Sequence, residues 1–146
     1  MTLFAGLKVL HLLCAVFWVG GLFFVQVVLR PNFAAIELPQ RMLVDTQVFR
    51  KFFLIVWHAM PVIILTGFAM LPYVGGMAHA PWQVHAMLAL GLLMAAVFLA
   101  MYFGPYRTFR RTTDRARMAS CLSRIRTLIG ANLILGLIAV VVAGLL

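Results

Sequence analysis

Acidic side chains are nearly missing from this chain: three Asp and Glu stand against twelve Lys and Arg in 146 residues. Charged residues of both signs reach only 10%, while 65% of the chain is hydrophobic. So little charge excludes a soluble globular domain, which could not hide that much apolar surface from water. Cysteine is equally scarce. Cys14 and Cys121 are too few and too far apart for a disulfide framework or a CxxC metal site, and they read as apolar filler. Neither an internal repeat nor a linker divides the chain, so residues 1–146 read as a single four-helix transmembrane domain. The excess of basic residues alone would suit a nucleic-acid binder. Their placement excludes it, because nearly all of them fall in two short segments between apolar runs.

What the chain does have is four long apolar runs, at about 4–29, 52–74, 82–104 and 122–145. Each meets the ~20 residues that a helix needs to cross a ~30 Å hydrocarbon layer. A strand would leave its backbone groups unpaired in lipid, so the expected fold class is an all-α membrane protein, a four-transmembrane-helix antiparallel bundle. The first run lacks a basic leader and a small-x-small cleavage site and contains Lys8, which argues against a secretory signal. Arg30, Arg41, Arg50 and Lys51 follow the first run, and Arg107, Arg110, Arg111, Arg115, Arg117, Arg124 and Arg126 follow the third. The connector 75–81 is uncharged. The positive-inside rule then predicts both basic segments in the cytoplasm and both termini outside, in a bacterial inner membrane. Contact of the 107–117 segment with anionic lipid is the simplest use of its charge. In the last run, Asn132, Gly136, Ala139 and Ala143 form a small-residue stripe suited to close helix packing. Pro61 deprives the Trp57 carbonyl of its donor and predicts a kink.

Polar groups inside a span are costly and direct attention to function. Lys8, His11, Gln26, His58, His85 and Asn132 are such groups. His11, Cys14, Trp18, Leu22 and Gln26 share a helical face, which should point into the bundle. Counted from the outer ends of their helices, His11 and His85 reach similar depths, whereas His58 lies nearer the other surface. Two imidazoles at one level suit the axial positions of a haem b. On that reading His11 and His85 hold the iron, Lys8 pairs with a propionate, Trp18 edges the ring, and Ala89 and Ala96 leave room for it. A second constellation is softer. Met77 and His79 in the outer connector, with Met60, Met70 and Met87 nearby, offer the thioether and imidazole donors that suit Cu(I). The third reading is an assembly subunit without a cofactor, its histidines satisfied by carbonyls.

Leu7-Lys8-x-x-His11 followed by Trp18-Val19-Gly20-Gly21-Leu22-Phe23 resembles the first helix of the CopD-like membrane proteins and of their distant relatives, the HemJ proteins. Phe49-Arg50-Lys51-Phe52-Phe53, Thr66-Gly67, the stretch from His85 through Tyr102-Phe103-Gly104-Pro105-Tyr106-Arg107, and Arg124-Ile125-Arg126 through Asn132-Leu133-x-Leu135-Gly136 extend the resemblance over most of the chain. The HemJ side implies a bound haem b and a membrane oxidoreductase that turns protoporphyrinogen into protoporphyrin. On the haem reading the chain moves electrons between a quinone or porphyrin-like substrate and another redox partner. The CopD side implies copper uptake or tolerance. HemJ proteins carry His-x-Lys in the third helix where this chain reads His85-Ala86-Met87, a departure that weakens the oxidase reading and leaves both histidines available.

Overall fold

The computed structural model describes residues 2–146, all helix and turn with no strand among them. Four helices are long and apolar enough to cross a membrane: α1 (Leu3–Ala35), α2 (Leu38–Val74), α3 (Trp82–Arg111) and α4 (Arg115–Gly144). Each of the last three turns back along its predecessor. α1 packs extensively on α2 and α3 on α4, while α1 meets α4 and α2 meets α3 along narrower seams. Both termini and the connector 75–81 lie at one end, called here the connector end. The other end holds the turns 36–37 and 112–114 and is called the basic end.

The helices outrun the apolar segments at the basic end. α1 continues past Arg30, α2 begins well before Phe52, and α3 carries on to Arg111. Arginine interrupts hydropathy but not backbone hydrogen bonding, and it is a good helix former. Local chemistry sets the ends. The Thr2 hydroxyl accepts from the Ala5 amide at 3.3 Å, and the Asp114 carboxylate accepts from the Ala116 amide at 3.2 Å. Gly75 and Gly76, at φ 90° and 74°, supply the left-handed backbone that stops α2. Pro61 sits inside an α-helix that is continuous from Leu38 to Met70. Two π-helical turns interrupt regular winding, Phe24–Leu29 in α1 and Tyr102–Tyr106 in α3. In the second, Pro105 lacks a donor and Gly104 leaves helical geometry at φ −92°, ψ −105°.

The core toward the basic end is built on aromatic rings with aliphatic side chains between them. Phe53 meets the Tyr106 ring edge-on at a centroid distance of 4.5 Å and Phe98 at 5.8 Å, and Trp57 meets Tyr102 at 5.2 Å. Leu22, Val56, Ile125 and Ile129 are fully buried among them. Outward, the bundle is just as apolar: Leu12, Val16, Phe17, Leu54, Leu65, Ile134 and Val141 are all exposed. An apolar face of that extent is stable only against hydrocarbon. The chain is a multi-pass membrane protein.

Candidate functional site

His11, half-buried on α1, is held by α2. Its Nδ1 lies 2.9 Å from the Thr66 hydroxyl oxygen. That hydroxyl spends its single proton on the Val62 carbonyl, 2.6 Å away, with the Ile63 carbonyl at 3.1 Å. Thr66 therefore accepts from His11, which assigns the imidazole proton to Nδ1 and leaves the Nε2 lone pair unengaged. An oriented histidine with a donating Nδ1–H is the usual arrangement of an imidazole that binds a metal through Nε2. Gly67 faces the same ring, and a Cβ there would come within 3.5 Å of His11 Cε1.

Contacts also fix the relative heights of the helices. A Cβ on Gly136 of α4 would lie 2.9 Å from Val19 of α1 and 3.2 Å from Met94 of α3, so these three residues share a level. At ~1.5 Å per residue, His11 then lies about 12 Å from that level toward the connector end, and His85 about 13 Å. Their heights are similar, but their directions differ. His85 is exposed, as are Ala89 and Ala96 on its face. Its Nε2 lies 3.0 Å from the Met77 carbonyl and its Nδ1 3.3 Å from that of Pro81. His11 and His85 thus have no partner in common, and His85 is turned to its own connector. Lys8 is exposed one turn from His11, rather than pointing into the bundle. So close to the helix end, its long stem can carry the ammonium to the interface. Trp18 is buried, packed at 6.4 Å against Phe98. Met77 and His79 are exposed in the connector, and His58 is exposed with Nδ1 2.8 Å from its own helix carbonyl at Leu54.

Below His11 the interior holds neutral sulfur. Cys14, Met60, Met94, Met101 and Cys121 are all buried, both cysteines as free thiols. From the Met94 level, Cys14 lies about 8 Å toward the connector end, Met101 about 10 Å toward the basic end and Cys121 about 22 Å. Met60, six residues below the Thr66 partner of His11, falls between Cys14 and Met94. Polar atoms without partners lie beside this column, from the Met94 level to about 6 Å below it. Both amide atoms of fully buried Asn132 lack a hydrogen-bond partner, as do the indole nitrogens of Trp18 and Trp57.

At the basic end is a group that hydropathy concealed. Asp45 of α2 is 2% exposed and bonded at 3.0 Å to Arg126 of α4. Gln26, Arg30 and Phe49 close around the pair. The π turn of α1 brings Gln26 there, its amide against Gly130, where a Cβ would come within 3.2 Å. A charged pair in this position ties α2 to α4. No group of three or more His, Cys, Asp or Glu side chains suited to a metal ion occurs among the described residues.

The family described as CopD, Copper resistance protein D, matches residues 46–146. The chain belongs to the CopD family. The match takes in α3, α4 and most of α2, and with them Thr66, the three buried methionines, Cys121, Asn132 and Arg126. The helix bearing His11, Cys14 and Trp18 lies outside the matched residues. No curated protein and no solved structure matches this CopD-family chain.

Proposed function

We propose that this CopD-family chain handles copper in the bacterial inner membrane, with the ion as cargo and the basic end in the cytoplasm. The observation that carries the reading is the column of five buried thiols and thioethers beneath His11. Cu(I) prefers soft thioether, thiol and imidazole donors, and thioethers bring no charge that lipid would penalise. Met77 and His79 are exposed where an ion would first arrive. His11 comes next, with its Nε2 lone pair oriented by Thr66 and unengaged. Cys14, Met60 and Met94 follow at intervals short enough for handover between two- or three-donor sites, and Met101 and Cys121 continue inward. Methionines also fill cores, so the sulfur must be removed without changing the packing.

Met→Leu does this, since the exchange keeps volume and typically costs under ~1.5 kcal/mol. Copper uptake into proteoliposomes loaded with a Cu(I) chelator should fall at least ~tenfold in a Met60→Leu, Met94→Leu, Met101→Leu triple variant, as expected for the loss of soft ligands. Uptake at the wild-type rate by a folded triple variant would reduce the sulfurs to packing.

A haem b reading, with a quinone or porphyrin as redox partner, draws support from the open Nε2 of His11. The donor set around it fits less well, since His85 would have to give up its carbonyl contacts and turn inward to become the second ligand. In that reading His11 and His85 hold the iron, Lys8 and Trp18 flank the ring, and the cofactor supplies the electron chemistry. The absorption spectrum of the purified protein separates the two. A Soret band lost on His11→Ala and His85→Ala, but kept on His58→Ala, supports haem, whereas copper on metal analysis without that band supports copper handling.

A further inference from the structure

Where α3 gives way to α4, Arg107, Thr108, Arg111, Thr112, Thr113 and Arg117 line an open cleft of about 400 Å³. Three guanidiniums share it, and none has an acidic partner: among the described residues the one ion pair is Arg126 with Asp45. Asp114, the acid nearest in sequence, turns its carboxylate to the Ala116 amide at the start of α4. Arg110 is drawn away from its neighbours, stacked over Tyr106 at 5.0 Å and Tyr102 at 5.7 Å. Arg107 and Arg111, four residues apart, are left on one face of α3 opposite Arg117. The Thr112 hydroxyl oxygen accepts from the Asp114 amide at 3.3 Å, so its proton remains free to donate.

We propose that this cleft is a binding site for a phosphate-bearing anion. Like charges gathered without a counter-ion repel one another, and guanidiniums with hydroxyls beside them match a phosphate's oxygens in geometry and sign. The cleft's volume falls within the ~300–1,000 Å³ of small-molecule sites and exceeds what a bare phosphate fills. The 22 residues of α3 that precede its kink at Gly104 already extend about 33 Å against a ~30 Å hydrocarbon layer, which leaves Arg107 and Arg111, beyond the kink, at headgroup depth. The ligand's phosphate can therefore belong to an anionic phospholipid or be free in solution, and the two are separable.

The test uses the full chain in neutral detergent, probed with phosphatidylglycerol by native mass spectrometry and with inorganic phosphate by equilibrium dialysis. Substituting Arg107→Lys, Arg111→Lys and Arg117→Lys together keeps every charge and removes the bidentate forks. The same exchange at Arg50, Arg115 and Arg124, all exposed outside the cleft, is the control. Retention of the ligand should weaken at least ~tenfold in the cleft variant and stay at wild type in the control, as loss of forked hydrogen bonds predicts. Phosphatidylglycerol that inorganic phosphate does not displace assigns a lipid headgroup, and phosphate held without lipid assigns a free anion. Equal loss in both variants, no loss in the cleft variant, or failure of the wild type to hold either probe overturns the proposal. Unchanged helical circular dichroism and a single elution peak establish that each variant is folded.

Discussion

Asp45 concentrates the residue-scale physics of the bundle. A carboxylate that is 2% exposed persists as an anion only if its charge is met, and Arg126 meets it from α4 with 23% of its own side chain exposed. Replacing Asp45 by Asn keeps the shape and strands the guanidinium. Stability to heating in detergent should fall by up to ~3 kcal/mol, the lower part of the range for broken buried pairs because Arg126 is partly solvated. The paired apolar change, Asp45→Leu with Arg126→Met, should recover most of that loss, since the desolvation penalty then disappears from both sides. A double variant less stable than the single one would show that the pair contributes through shape rather than charge. Sequence reading found His11, Gln26 and Asn132, because polar groups inside an apolar run stand out. It missed Asp45 because hydropathy starts the second run at Phe52 and leaves 45 in a loop. The spacing of Asp45, Phe49, Phe52, Phe53 and Val56 was the available signal, one helical face carrying a single acid among aromatics.

Between helices, glycine decides how closely backbones approach, and not every glycine does so. A methyl at Gly136 would press on Val19 at 2.9 Å, and Val19 is β-branched and stiff, whereas the neighbouring Met94 is free to yield. At Gly91 nothing lies within 4 Å of the added atom. Gly136→Leu should therefore separate α4 from α1 and cost about 1–3 kcal/mol, as overpacking does, while Gly91→Ala should leave the unfolding midpoint unchanged or raise it. Equal effects of the two would mean that the α1–α4 seam is looser than these distances imply. The small-residue stripe expected on α4 is only partly a seam: Asn132 and Gly136 are buried, Ala139 is half-buried and Ala143 is exposed. The number of helices was legible, because each span is a long apolar run. The rotation of α3 was not. It is apolar on every side, so nothing in its pattern distinguishes the His85 face from the Met94, Phe98 and Met101 face that is buried. The π turn over Tyr102–Tyr106 had a signal in Gly104-Pro105, while that over Phe24–Leu29 had none beyond the polar Gln26.

For the whole molecule, charge is distributed along one axis. Eleven of the twelve basic residues lie toward the basic end and only Lys8 toward the other, and all three acids are with the eleven. Because acids count little in setting orientation, the contrast that matters is eleven against one, with the connector 75–81 uncharged. The helices tighten the constraint. The basic segments are helix ends joined by turns of two and three residues, so their arginines stay within the ~15–20 residues of a span over which the rule operates. Reporter fusions after Val74 should then be active only in a form that works outside the cell, and fusions at Thr113 only in a form that works in the cytoplasm. Four spans also keep both termini together, so a fusion after Leu146 should behave like the one after Val74. Moving charge is the stronger test. Three arginines inserted between Gly76 and Met77, combined with Arg→Gln at 107, 111 and 117, should yield molecules in both orientations. If the added connector charge left the topology unchanged, orientation would have to come from the order of insertion, with α1 threading first. The proposed direction of copper movement, from Met77 and His79 past His11 toward Cys121, would then rest on that order and not on the arginines.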